Sequence, residues 1–204
     1  MPTISHVQDK LAIRELIENW AVWRDSFQWD RFRTVWHPEG RMWATWFQGT
    51  YGEFIQANID GYARGVRIYH FLGGSSIDLK DRRAIAQTKM SISQRANVEG
   101  VECDVLCIGR FYDFLENRKR KWGLVWRRLT YEKDSIVPVD PTQTPKLDPE
   151  LLGRFPIGYR HLGYLQTKVG YKVKEDMPGV DGPQTDALYA LGATWLKGKN
   201  KRPW

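Results

Sequence analysis

The chain has 204 residues, 42% of them hydrophobic, and a formal net charge of +7. That is enough for one domain with a real core, or one domain plus an appendage, and it excludes a disordered chain. No apolar run approaches a membrane span and no signal-peptide pattern opens the sequence, so the expectation is a cytoplasmic protein with no membrane partner.

Ten tryptophans, nine tyrosines and eight phenylalanines suffice to fill a core and also to line a site for a flat ligand. Cys103 and Cys107, four apart on one strand, would stand roughly 13 Å from each other. That is too far for a disulfide, and the scattered histidines complete no metal quartet. The expectation is therefore two buried thiols and no metal. Much of the positive charge sits in Arg118-Lys119-Arg120-Lys121 and in the tail from Lys197 to Arg202. No nucleic-acid motif accompanies it, so it reads as a solvated hairpin tip and a frayed tail, with no nucleic-acid partner.

In chain order, residues 6–24 read as a helix with Val7, Leu11, Leu16, Ile17, Trp20, Ala21 and Trp23 at near-helical spacing. A short helix is expected from Trp29 to Trp36, ended by His37-Pro38-Glu39-Gly40 because proline disfavours helix in the residue before it. Arg41 to Phe47 alternates as a strand, and Gly52 to Arg64 reads as a third helix. Strands are then predicted at 70–80, 84–98, 101–117 and 122–137, separated by short polar connections. Val101, Cys103, Val105, Cys107, Gly109 and Phe111 share one face by alternation. After Pro138, Pro141 and Pro145 mark a linker, helices are expected near 148–166 and 183–196, the second capped around Asp181. The fold class is α+β: three N-terminal helices against one face of a curved antiparallel sheet, with a C-terminal helical extension. The division is a main domain over 1–140 and an extension over 141–204, lying on it or on a neighbouring subunit.

His70, at the switch from helices to strands, and Asp25, at the end of the first helix, are the candidate chemical pair. Imidazole exchanges protons near neutral pH, and a carboxylate on its other nitrogen fixes the tautomer. The plain alternative is a buried His–Asp bond that only ties helix to sheet. Arg127 is expected inward with Val125, Leu129 and Tyr131. There it would bind a ligand oxygen or pair with Asp25 or another core acid. Tyr131 either donates to a leaving oxygen or packs, and Ser93 either bonds a substrate hydroxyl or sits satisfied in its strand. Trp20, Trp43 and Trp46 are core residues or a ligand platform. His37 reads as a turn residue, and His6 and His161 as exposed. Gly73-Gly74 reads as a bulge or bend.

The run from Asn19 to Arg33 resembles the first-helix signature of the SnoaL-like, nuclear transport factor 2-like superfamily. His70-Phe71-Leu72-Gly73-Gly74 and Ile92-Ser93-Gln94-Arg95 resemble stretches of scytalone dehydratase, and Trp122 to Arg128 is similar to a closing strand of the superfamily. The likeness spans about residues 6–137. It implies a cone-shaped α+β barrel and a homo-oligomer, a trimer before a dimer. It also implies a His–Asp base that works without metal or cofactor, as in scytalone dehydratase and hexachlorocyclohexane dehydrochlorinase. Asp25 and His70 fall on the two base positions, and Arg127 on a pocket arginine of the dehydrochlorinase. The chain departs from the dehydratase at Arg24, Ala44, Ser93 and Phe111, which makes scytalone itself a poor substrate.

The function expected is a cofactor-independent lyase acting on a small aromatic hydroxylated compound, of lignin-derived or polyketide type. It would eliminate water or a small carbonyl fragment such as formaldehyde by C–C cleavage. The catalytic residues would be His70 and Asp25, with Arg127, Tyr131, Ser93, Trp43, Trp20 and Phe111 binding substrate. An isomerase or cyclase with the same base, and a ligand-binding module without catalysis, are the alternatives.

Overall fold

The computed structural model describes residues 4–199, 202 and 203. Part of the basic tail, Asn200 and Lys201, lies outside the described residues. Helix α1 spans Ile4–Asp25. Its buried stripe is Ile13, Ile17, Trp20, Ala21 and Arg24, at the i, i+4, i+7, i+8, i+11 spacing of one helix face. Val7 and Leu11, expected on that face, are instead exposed. The stripe therefore carries a charged residue at its C-terminal end, immediately before Asp25.

Helix α2 covers only Trp29–Arg33, because residues 36–43 are drawn into strand β1 (Trp36–Trp43). Pro38, expected to end a helix, lies in that strand, whose pairing register shifts between Trp36 and Arg41. Such an irregularity spares proline the ladder bond it cannot make. His37 is accordingly no turn residue: it is buried, and its Nε2 lies 2.8 Å from the Glu116 carbonyl oxygen. A four-residue connection, 44–47, leads to β2 (Gln48–Thr50) and α3 (Tyr51–Ala63). Thr50 and Glu53 close a reciprocal capping box at the start of α3, the arrangement a T-x-x-E sequence favours.

Four long strands follow: β3 Ile68–Lys80, β4 Arg83–Val98, β5 Val101–Arg118 and β6 Lys121–Pro138. The expected strands agree with these within two residues at each end. Glu99-Gly100 and Lys119-Arg120 link strands with positive φ at both residues, as tight hairpin turns with right-handed strand twist require. The run Arg118 to Lys121 is thus a hairpin tip, with Arg118 bridging Glu39 and Glu116. Gly73 and Gly74 sit where the β3–β4 register shifts, between Leu72 and Ser75, a bulge as expected.

The sheet runs β2-β1-β6-β5-β4-β3. It is mixed, not wholly antiparallel, because β1 lies parallel to β6. Its two edges do not meet, so the cone is a curved open sheet and not a closed barrel. Helices α1 and α3 pack on the inner face around the main core.

The C-terminal stretch contributes to both faces. One predicted helix over 148–166 is in fact two, α4 (Pro149–Gly153) and α5 (Arg160–Lys168), with Pro156 between them. Helix α5 packs on β5 and β6 and joins the inner core through Leu162, Tyr164 and Leu165. Helix α6 (Pro183–Leu196) lies on the outer face. There Leu188 and Trp195 pack against Ile85, Tyr112, Phe114, Val125 and Trp126. Its N-cap is Gly182, with no side-chain capping bond, and not Asp181. A β-carbon on Gly192 would meet the Tyr112 hydroxyl at 2.0 Å, so only glycine lets α6 approach this closely.

Candidate active site

Asp25 and His70 meet. The β3 register puts His70 opposite Ile92, on the inner face and beside the C-terminal end of α1. Asp25 Oδ1 lies 3.0 Å from His70 Nδ1, and Asp25 Oδ2 accepts the His70 backbone N–H at 2.5 Å. One carboxylate thus holds both the ring and the strand that carries it. Arg24 donates from Nη1 to Asp25 Oδ1 at 2.9 Å and to the Ile68 carbonyl at 2.6 Å. Its Nε and Nη2 both reach Asn58 Oδ1. The last turn of α1, the middle of α3 and the start of β3 are locked together around the carboxylate.

The protonation states follow from this geometry. Burial pushes the His70 imidazole below its ordinary value; Asp25 pulls the other way, while Arg24 and Arg127 add to the lowering. Burial alone would raise Asp25, but His70 and Arg24 outweigh it and leave its carboxyl below the ordinary value. At neutral pH the pair is a carboxylate beside a neutral imidazole. The carboxylate on Nδ1 holds that nitrogen protonated and leaves Nε2 with its lone pair. Nε2 makes no hydrogen bond to the described residues.

The imidazole lines a cavity of about 30 Å³, space for roughly two waters. Trp20 stands edge-on to the ring at 5.2 Å and forms part of the wall. Tyr131 lines it as well; its hydroxyl accepts the Thr45 backbone N–H at 3.1 Å. Burial raises the Tyr131 pKa, so the phenol stays protonated and can donate into the cavity. Thr45 Oγ1 donates to Gln166 Oε1 at 2.7 Å, which brings α5 into the wall together with Leu162. The backbone N–H of Lys174 bonds the Thr45 carbonyl, and that of Tyr131 bonds the Pro178 carbonyl. The segment after β6 is therefore strapped across this end of the cone.

Of the expected binding residues, Ser93, Trp43, Phe111 and Arg127 do not line the cavity. Ser93 pairs with Tyr69 and Leu106, both half exposed, so it lies on the outer face, away from the cavity. Strand alternation decides this: Ile92 and Gln94 take the inner positions. Trp43 is likewise turned outward, 5.1 Å from Trp126, while Met42, Ala44 and Trp46 line the cavity. Phe111 is fully buried behind His70, at 6.0 Å between ring centres, and is not part of the wall.

Arg127 does face inward and Arg128 outward, over Trp43 and Trp126. Val125 does not accompany Arg127. The β5–β6 register shift between Phe114 and Leu115 makes Val125 an extra residue, and it joins Trp126 under α6. The acid that Arg127 finds is Asp113, bound twice at 2.7 Å, with both side chains fully buried. The guanidinium is stacked 3.8 Å from Phe111 and 4.3 Å from Trp20, and it does not line the cavity. Arg127 supports the rings around His70 and acts on the imidazole by charge.

Gln94, Gln166 and Arg24 line the cavity and were not among the expected binders. Gln94 was within reach of the alternation that sends its neighbour Ser93 outward. Gln166 carries no signal of its own, because only the docking of α5 brings it near Thr45. The Gln94 side chain is 3% exposed, and its Oε1 has no hydrogen-bond partner. Such a group costs about 1–3 kcal/mol in the unliganded fold. His161 is not free in solution: its Nδ1 lies 2.8 Å from Asp134, which also accepts the Leu162 N–H at the start of α5. Among the described residues no group of three or more His, Cys, Asp or Glu is placed to hold a metal ion. Cys103 and Cys107 are free, buried thiols, and burial holds both above the usual thiol pKa. No helix among the described residues is long and apolar enough to cross a membrane.

The sequence profile of the SnoaL-like domain matches residues 5–128. The chain belongs to the SnoaL-like family. It is 37% identical over 202 residues to pea pathogenicity protein 2 of Fusarium vanettenii, covering 94% of this chain and 87% of that one. It is 38% identical to a PEP2-like protein of the same fungus, covering 95% and 88%. Both alignments extend well past the 5–128 span of the family domain. Among solved structures it resembles a putative scytalone dehydratase of Novosphingobium aromaticivorans, with TM-score 0.55 and 14% identity over 63% of this chain and 87% of that one. A type 2 hexachlorocyclohexane dehydrochlorinase superposes with TM-score 0.56 and 12% identity, covering 70% and 95%. At such identities these structures speak for the nuclear transport factor 2-like fold alone.

Proposed function

We propose that this SnoaL-like protein is a lyase that needs no cofactor and uses His70 as its base. The observation that carries the reading is the fixed Asp25–His70 contact, with neutral Nε2 left unbonded at a cavity. In the proposed step, Nε2 takes a proton from a small hydroxylated aromatic compound, and Asp25 stabilises the imidazolium that forms. If the proton leaves carbon, its electron pair becomes a C=C bond and the C–O bond beyond breaks. The departing hydroxide takes up a proton and leaves as water. If the proton leaves a primary hydroxyl, a C=O bond forms there and the adjacent C–C bond breaks. Formaldehyde departs, and the electron pair passes to the remaining fragment. Tyr131, kept protonated by burial, donates to the oxygen that gains charge. The reading agrees with the elimination chemistry for which two proteins of the same fold are named, a putative scytalone dehydratase and a hexachlorocyclohexane dehydrochlorinase.

The cavity admits about two waters as it stands, so substrate entry requires wall residues to move. Leu162 and Gln166, held by α5 and not by the sheet, can withdraw without breaking a strand ladder. An isomerase or cyclase using the same base is the second reading, favoured by the same contact. The proposed partners are a small aromatic molecule and further copies of this chain. A strip of exposed Tyr69, Phe71, Leu106 and Ile108 on the uncovered half of the outer face would meet a second copy. Sedimentation of the wild type beside Phe71→Glu tests that assembly.

The experiment for the chemistry is incubation with a panel of phenolic diols and polyketide-like compounds, followed by mass spectrometry. Loss of 18 or 30 mass units, present in the wild type and absent in Asp25→Asn and His70→Gln, is the expected result. An isomerisation without mass change would favour the second reading. Equal turnover in all three proteins would end both.

A further inference from the structure

Gln94 is a buried amide with nothing to bind. It lies on β4 opposite Ile68 and one inner-face position along from Ile92, the partner of His70. It lines the cavity that His70 lines, is 3% exposed, and makes no hydrogen bond to any described residue, with Oε1 completely shielded. Besides His70 Nε2 and the Tyr131 hydroxyl, which are open to the same cavity, the neighbouring polar groups are engaged. Gln166 takes Thr45 Oγ1, Arg24 is spent on Asp25, Asn58 and Ile68, and Asp25 is spent on Arg24 and His70. Buried polar atoms in folded proteins are nearly always paired, so an unpaired amide on a residue that lines a cavity marks a place where a ligand completes the set.

We propose that Gln94 reads a hydroxyl group of the substrate and so determines specificity. The inference rests on the cavity of the proposed base being the substrate site. A carboxamide offers one acceptor and two donors, and a hydroxyl both donates and accepts. A carboxylate only accepts, and would leave Oε1 unpaired and facing negative charge. The group read is therefore a neutral hydroxyl. Diagonal neighbours on adjacent strands have backbones about 7–8 Å apart, so Gln94 and His70 open on one cavity and reach a single small molecule together. The substrate class is a compound with two oxygen functions, one for Gln94 and one at the reacting end.

The test uses full-length protein, with resorcinol and 3-methoxyphenol as probes, in the wild type, Gln94→Met and Asp25→Asn. Binding is followed by shifts in protein NMR spectra, and stability by thermal unfolding without ligand. The wild type should bind resorcinol about tenfold tighter than its methyl ether, as one hydrogen bond accounts for. Gln94→Met should bind the two equally. It should also melt at a higher temperature than the wild type, since it removes an orphan and fills the same space. A Gln94→Met protein that melts lower, or that keeps the preference, overturns the proposal. So does a wild type that binds the two probes equally, including not at all at millimolar concentration. Asp25→Asn should keep the preference between these probes while losing turnover of the panel of phenolic diols. A preference that survives while turnover also survives would remove the base and leave the Gln94 assignment standing.

Discussion

The two faces of the sheet are built to different ends. Under α6, the outer face is closed by rings and aliphatic chains: Tyr112, Phe114, Trp126, Leu188 and Trp195 with Ile85 and Val125. The inner face, equally buried, carries an ion pair, a His–Asp pair and an orphan amide among its apolar residues. Burying apolar surface is favourable without further conditions, whereas each buried polar group must be matched or it costs stability. The outer face therefore serves the fold, and the inner face gives up some stability to hold reactive groups in a dry place.

Breaking one face at a time should separate the two. The largest effect is expected from Asp25→Asn, which removes the partner of Nδ1. Turnover should fall on the order of 10³-fold or more, with a stability loss of only about 1–3 kcal/mol as Arg24 keeps Asn58 and the Ile68 carbonyl but loses its anion. Trp195→Ala should do the reverse. It should lose about 3–5 kcal/mol in chemical denaturation, while the protein that remains folded turns over normally.

Arg127 sharpens the comparison, because it is an inner residue whose removal should act on stability. Arg127→Met leaves Asp113 buried and alone, at a cost of about 3–5 kcal/mol, and the double variant Arg127→Met/Asp113→Leu should recover most of it. A single variant with wild-type stability would mean that the pair is not buried as seen. Gly192→Ala forces α6 away from Tyr112 and should cost about 1–3 kcal/mol, again with turnover intact.

The smallest effect is that of pH. The folded state holds His70 below its ordinary pKa of 6.5, so folding favours the neutral ring. Stability should then decline as pH falls from about 6.5 toward the folded value, and be unaffected by this residue at higher pH. Turnover should fail only at the lower end of that range, as pH reaches the folded value and the base fills. NMR titration of the His70 ring checks the sign: a midpoint above 6.5 would contradict the burial argument.

Several features of the chain were legible before any coordinates. Long alternating runs, helical periods and short polar connections are local signals, and they gave β3 to β6 and α3 to within two residues. Residue chemistry offered Asp25 and His70 as a pair and the resemblance supported it, but nothing local links positions 45 apart. Where reading by alternation went wrong, a non-local event was responsible. The bulge at Val125 sent that residue outward. The parallel pairing with β6 drew His37 and Pro38 into a strand. A single step of register put Gln94 inside and Ser93 outside.

What the sequence by itself determined is what short-range sterics and hydrophobic period determine: which segments are helix or strand, and where the chain turns. Only the tertiary structure decided which side chains share the cavity, that Arg127 belongs to Asp113, and that α5 from beyond the family domain supplies part of the wall. The physical reason is that period fixes a residue's face within its own element. Its neighbours across space are set by sheet register, bulges and helix docking, which depend on the whole chain at once.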